Sequence, residues 1–167
     1  MDDPITPRNT ESFPVDRPVE ALLQDHNLAR KLADAYLNDT SMAAKKQAAI
    51  QLVQALHAHS RLEESVFYPG VRRVDPNMIS HFEEEHQKLD DVVATLMGMT
   101  MDEPQADQMV REMINMALHH IQEEEDQFFP KLQQANIDMT PIGLEMQSFE
   151  ANLVHTQTQV PPPRMRR

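Results

Sequence analysis

The chain has no cysteine. Disulfides, thiolate metal sites and cysteine nucleophiles are therefore excluded. It has no tryptophan and only three glycines among 167 residues, and no stretch carries the turn chemistry of a β-hairpin. No apolar run approaches the roughly 20 residues that span a bilayer. The start, Met1-Asp2-Asp3-Pro4, lacks the basic and apolar segments of a signal peptide. Positive charge is scarce as well. Fifteen Lys and Arg face 27 Asp and Glu, for a net charge of -12. That balance argues against nucleic acid or an anionic membrane as a partner, since both need a basic surface. The expectation is a cytoplasmic protein.

What is present favours helices. Leu, Ala, Met, Gln and Glu are abundant, and all are good helix formers. Twelve methionines suit a core filled by adaptable side chains. Prolines divide the chain. Residues 1–17 hold Pro4, Pro7 and Pro14 and read as an extended arm. Residues 157–167 end in three consecutive prolines and a basic cluster, and read as an extended tail. Between them, 18–156 form one domain. Helical patterns run from about Pro18 to Leu37, Ser41 to Phe67, Pro76 to Met97, and Asp102 to about Pro130. A shorter one runs from Thr140 to Leu153. Pro69-Gly70 is expected to stop the second, and Asp102-Glu103-Pro104 to open the fourth. The predicted fold is all-α: an up-down antiparallel four-helix bundle with a short extra C-terminal helix and extended Pro-rich termini.

One phrase is written twice. His59-Ser60-Arg61-Leu62-Glu63-Glu64-Ser65-Val66-Phe67-Tyr68-Pro69 matches His120-Ile121-Gln122-Glu123-Glu124-Glu125-Asp126-Gln127-Phe128-Phe129-Pro130. Positions i and i+4 share a helix face, so each copy sets a His and a Glu side by side. Helical phase, at about 100° per residue, separates inward from outward histidines. On the fourth helix Val110, Ile114, Ala117, Ile121, Glu124 and Phe128 fall on one stripe, with His120 beside it and His119 opposite. On the second, Leu52, Leu56, Leu62, Val66 and Phe67 surround His59 and Glu63, while His57 points away. His26 lies amid Leu22, Ala29 and Ala33. His86 lies amid Ile79, Phe82, Leu89 and Val93, and His81 stands off that stripe.

Each bundle helix thus supplies one inward His, and two add an inward Glu. Burying six ionisable groups together is costly unless a cation neutralises the carboxylates and accepts the imidazole lone pairs. His26, His59, Glu63, His86, His120 and Glu124 are the candidate metal ligands. Mixed imidazole and carboxylate donors suit Fe, Mn, Zn or Co better than Ca or Mg. A structural zinc site closes with four ligands, fewer than are offered here.

At these residues the chain resembles the hemerythrin family, in its bacterial HHE cation-binding form. The matching elements are Asp25-His26, His59 to Pro69, Glu85-His86, and His119-His120 to Pro130, over roughly residues 18–135. The resemblance implies a four-helix bundle around two iron ions with an oxo or hydroxo bridge. Mn and Zn are the alternative metals. His59 and His120 would be terminal ligands, Glu63 and Glu124 would bridge, and His26 and His86 would complete the pair. It further implies binding of O2 or NO for sensing, storage or stress response. The alternative is an enzyme handling peroxide, Fe(II) oxidation or NO. No general acid or base apart from the ligands stands out, which favours binding. A protein partner or a homodimer would carry any signal onward.

Oxygen carriers of the family have five His, and this chain offers four by phase. His81, Glu85, Asp90 or water could fill the fifth place, with water first. Tyr68 and Phe129 read as packing residues, and Tyr36 as a core tyrosine. Glu64 and Glu125 read as solvent-facing or as partners that orient imidazole N–H groups.

Overall fold

The computed structural model describes Arg8 and residues 10–159. The described residues form helices joined by short connections, with no strand among them. Helix α1 spans Pro18–Asn38 and begins with proline in its first turn, where a missing N–H costs nothing. Helix α2 spans Met42–Leu62, and Ser41 caps it by accepting from the Ala44 amide at 3.3 Å. A π-helical turn, Glu63–Phe67, follows, then α3, Tyr68–Val71. Helix α4 spans Pro76–Met97 and is capped by Asp75, which accepts from the Met78 amide at 3.1 Å. Helix α5 spans Ala106–Glu123, followed by a second π-helical turn, Glu124–Phe128, and by α6, Phe129–Ala135. Asn136 ends α6 in the left-handed region, at φ 51°. Helix α7 spans Thr140–Gln159.

The all-α bundle expected from the sequence is therefore present, with three boundary differences. The second helix does not stop at Pro69-Gly70. A proline inside a helix lacks its N–H and collides with the carbonyl four residues back. Here a wide π turn precedes each proline, and the coil continues through Pro69 and through Pro130. The fourth helix opens at Ala106 rather than Asp102, because Asp102 pairs with Lys46 and Glu103 accepts from the Thr100 amide instead. The last helix runs six residues past Leu153, to Gln159, into the segment read as tail. Residues 1–7 and 9 of the expected arm and 160–167 of the tail lie outside the described residues.

Helices α1, α2, α4 and α5 pack side by side around two apolar clusters. One is aliphatic and includes Leu32, Leu52, Leu56, Leu89, Val93, Val110 and Ile114. The other is aromatic, with Phe13, Phe67, Tyr68, Phe82 and Phe128. On every bundle helix the predicted ligand falls between the two: His26 lies between Leu22 and Ala29, and His86 between Phe82 and Leu89. Helix α7 packs on α1, α2 and the first π turn. Gly143 permits a close approach there, since a Cβ at that position would lie 1.9 Å from the Val15 carbonyl oxygen. Phe13, just before that contact, is buried in the aromatic cluster. No described helix is long and apolar enough to cross a membrane.

Candidate metal centre

All six predicted ligands are buried, and they meet in one layer across the bundle. They form two groups. His26, His59, Glu63 and Glu124 bring one donor atom each to within 4.8 Å of one another, and so do Glu63, His86 and His120. Glu63 belongs to both groups.

The imidazoles share one plan. Each turns Nε2 inward and Nδ1 outward to a carboxylate. The Nδ1 partners are Glu125 for His26 at 2.7 Å, Asp25 for His59 at 2.8 Å, Glu64 for His86 at 3.0 Å and Glu85 for His120 at 2.9 Å. A carboxylate accepts from N–H, so Nδ1 carries the proton and Nε2 keeps a lone pair for the interior. Glu64 and Glu125 thus orient imidazoles. Asp25 and Glu85 do the same, and sequence phase did not identify them as partners. The signal was present: Asp25 and Glu85 each precede an inward histidine, and Glu64 and Glu125 each follow an inward glutamate.

Inside, acceptors face acceptors. His26 Nε2 lies 3.1 Å from Glu124 Oε1, and His59 Nε2 lies 3.1 Å from Glu63 Oε1. Yet His26 Nε2, His59 Nε2, Glu63 Oε2 and Glu124 Oε1 are buried without a hydrogen-bond partner. The Nε2 atoms of His86 and His120 are 3.0 Å apart. Lone pairs converging this way cost free energy unless a cation sits among them. The donor set therefore fits metal ions of the kind that take imidazole and carboxylate together.

The field is uneven. Burial pushes the Glu63 carboxyl up, but His59, His120 and His86 outweigh it and hold it well below the usual range. Burial and the Glu63 charge hold Glu124 above it.

One residue read as packing is part of the centre. Tyr68 is fully buried, and its hydroxyl lies 2.7 Å from Glu124 Oε2, 3.3 Å from Glu63 Oε1, and 3.1 Å from Nε2 of both His86 and His120. Burial and the two carboxylates push its pKa well above the usual phenol value. The π turn places it there. In a regular α-helix residue i+5 stands about 140° round from residue i. In the π turn the Tyr68 amide bonds to the Glu63 carbonyl, which brings residue i+5 back over residue i. The residues weighed for the fifth place lie elsewhere. His81 is half-exposed beside Glu123, Glu85 reaches His120 from outside, and Asp90 pairs with Glu64. Phe129, the counterpart of Tyr68, stacks on His26 with centroids 5.8 Å apart and planes 5° from parallel. Tyr36 donates to Asp107 Oδ1 at 2.6 Å, among the aliphatic residues.

A helical bundle whose interior carries paired imidazoles and carboxylates defines a cation-binding protein of the four-helix class. A family model for the hemerythrin HHE cation binding domain matches residues 17–132, and the chain belongs to that family. Among solved structures, it is similar to a hemerythrin HHE cation binding domain-containing protein from Mycobacterium kansasii. That likeness has 18% identity and a TM-score of 0.62, and covers 93% of this chain and 94% of the other. At such identity it establishes the fold. No curated protein matches the chain.

Proposed function

We propose that the chain is a non-haem di-iron protein that binds O2 or NO, in sensing, storage or stress response. The observation that supports this most is the sharing of buried Glu63 between two donor groups. His26, His59, Glu63 and Glu124 would hold one ion. Glu63, His86 and His120 would hold the other, with the Tyr68 oxygen as a further donor. Two iron ions held there would supply redox chemistry and places for a small ligand. The outer carboxylates fix the imidazole tautomers, and the apolar clusters on either side exclude water from the layer. Iron-loaded protein is the test, with metal analysis and optical spectra under air, nitrogen and NO. Two irons per chain and a near-ultraviolet charge-transfer band that shifts with NO or azide are expected. Two zinc ions with no spectral response to O2 or NO would overturn the reading.

A second reading is an enzyme acting on peroxide, Fe(II) or NO. Tyr68 favours it, because its buried hydroxyl stands 2.7 Å from Glu124 and can hold or pass a proton inside the centre. Oxygen release from peroxide over many turnovers would select this reading, and a single stoichiometric reaction would remove it.

A further inference from the structure

The spacing His-x-x-x-Glu occurs four times in the chain: His59 and Glu63, His81 and Glu85, His119 and Glu123, His120 and Glu124. The first and last build the interior centre. The other two lie on facing surfaces of α4 and α5 and meet outside the bundle. His81 Nε2 lies 2.7 Å from Glu123 Oε1 and 3.5 Å from Glu85 Oε2. His119 Nε2 lies 3.7 Å from Glu85 Oε2 and 3.9 Å from Glu123 Oε2, too far for hydrogen bonds. The histidines are open to solvent, at 49% and 70% exposure, while Glu85 and Glu123 are mostly covered, at 19% and 18%.

We propose that His81, Glu85, His119 and Glu123 form a second, surface site for one borderline divalent cation of the Fe2+, Co2+ or Zn2+ class. Two features carry it. The first is the donor set. Two imidazoles and two carboxylates on two rigid helices match the ligand types that such ions prefer, and a purely acidic patch does not. The second is spacing. Ligands about 2.1 Å from a tetrahedral ion stand about 3.4 Å from one another. His81, Glu85 and Glu123 each bring one donor atom to within 4.8 Å of the others. His119 Nε2 stands 3.7 and 3.9 Å from the two carboxylates, and rotation of its exposed side chain brings it in as the fourth ligand. The double histidine of α5 acquires a reason. Its inward member serves the interior, and its outward member serves the surface, one residue out of register.

The site also adjoins the interior. Glu85 Oε1 holds His120 Nδ1 at 2.9 Å while Glu85 Oε2 faces His81 and His119. One carboxylate therefore spans both sites. The surface site itself does not depend on the proposed di-iron function.

The test is a Co2+ titration of the full-length protein, loaded with iron and then cleared of exposed iron by brief chelation and gel filtration, followed by calorimetry and by visible d–d absorption. The comparison is the double variant His81→Asn with His119→Asn. Both residues are exposed, so the fold and the interior metal content should remain unchanged. Wild type should bind one more Co2+ per chain than the variant, or bind it at least tenfold more tightly. Millimolar Mg2+ should not displace it. Equal binding by both proteins, or displacement by Mg2+, would overturn the site and leave four surface side chains joined by ion pairs only. The wild-type-minus-variant difference is read regardless of what the interior holds. A failed interior reading therefore shows in the iron content, and a failed surface site shows in this difference.

Discussion

The two halves of the centre differ both behind the histidines and in front of them. Behind His26 and His59 stand carboxylates fixed by arginine: Arg30 pairs with Glu125 at 2.9 Å, and Arg8 with Asp25 at 3.0 Å. Arginine stays charged at any ordinary pH, so these two carboxylates remain anions. Behind His86 and His120 the carboxylates rest on other side chains. Glu64 leans on Asp90, whose pKa burial and Glu64 push up to about 6, and Glu85 leans on exposed His81. In front, Nε2 of His26 and His59 has no hydrogen-bond partner, while Nε2 of His86 and His120 meets the Tyr68 hydroxyl. The first half is rigid and bare, and the second is adjustable and already offered a third donor. Two copies of one sequence phrase have thus produced unequal pockets. The decisive difference is Tyr68 in one copy against Phe129 in the other.

The largest effect should come from the group that both halves share. Glu63→Ala is expected to reduce bound metal from about two ions to less than one per chain, measured by elemental analysis after gel filtration. Retention of two ions would mean that Glu63 does not bridge. Tyr68→Phe should act mainly on the His86 and His120 half. It removes the hydroxyl that donates to Glu124 Oε2 at 2.7 Å, a candidate ligand of the His86 and His120 ion. Release of that half's ion to a chelator should quicken by roughly 10–100-fold, as for removal of a supporting partner, and release of the other, which Tyr68 reaches only through Glu124 and Glu63, should change less. Equal acceleration of both ions would erase the distinction between the halves. Smaller effects should follow from the outer carboxylates. Asp25→Asn removes the charge behind His59 and one of the two carboxylates that Arg8 pairs with, whereas Glu64→Gln removes a charge that Asp90 partly shares. Asp25→Asn should therefore weaken metal binding more, by about tenfold, in competition titrations. A larger loss from Glu64→Gln would reverse the account of which half is the more firmly supported.

Much of this was legible because the bundle helices obey one period. His26, Glu63, His86 and Glu124 interrupt apolar stripes, and a stripe interrupted by an ionisable residue is visible at about 100° per residue. The supports were less legible. Asp25 and Glu85 neighbour a predicted ligand in sequence, which at helical phase suggests solvent. Their side chains reach across to the imidazole of another helix, and that depends on interhelical distance. Tyr68 was misread because the period itself changes. A regular α-helix turns it away from Glu63, and only the π turn returns it. The same turn explains why Pro69 and Pro130 failed as stop signals: both prolines follow the place where the coil has already widened.

The chain's other tyrosine is the control for Tyr68. Tyr36 is also buried and also donates to a carboxylate, but among the aliphatic residues. Tyr36→Phe should leave metal content and release rates untouched and cost about 1 kcal/mol of stability, the usual net value of such a bond. The pH dependence follows from both partners. Burial and Asp107 push the Tyr36 phenol from 10.0 up to about 12, so its contribution is complete below pH 10 and disappears as pH rises through about 12. The hydrogen bonds from Tyr36 and Arg111 hold Asp107 below its usual 3.8, so its contribution is present above that value and disappears as pH falls through the lowered one. Urea midpoints of wild type and variant should therefore differ by a constant amount from about pH 5 to 9 and converge at both extremes. A difference in metal release between them would show that the far end of the bundle communicates with the centre, and Tyr68 would no longer be the tyrosine that sets the halves apart.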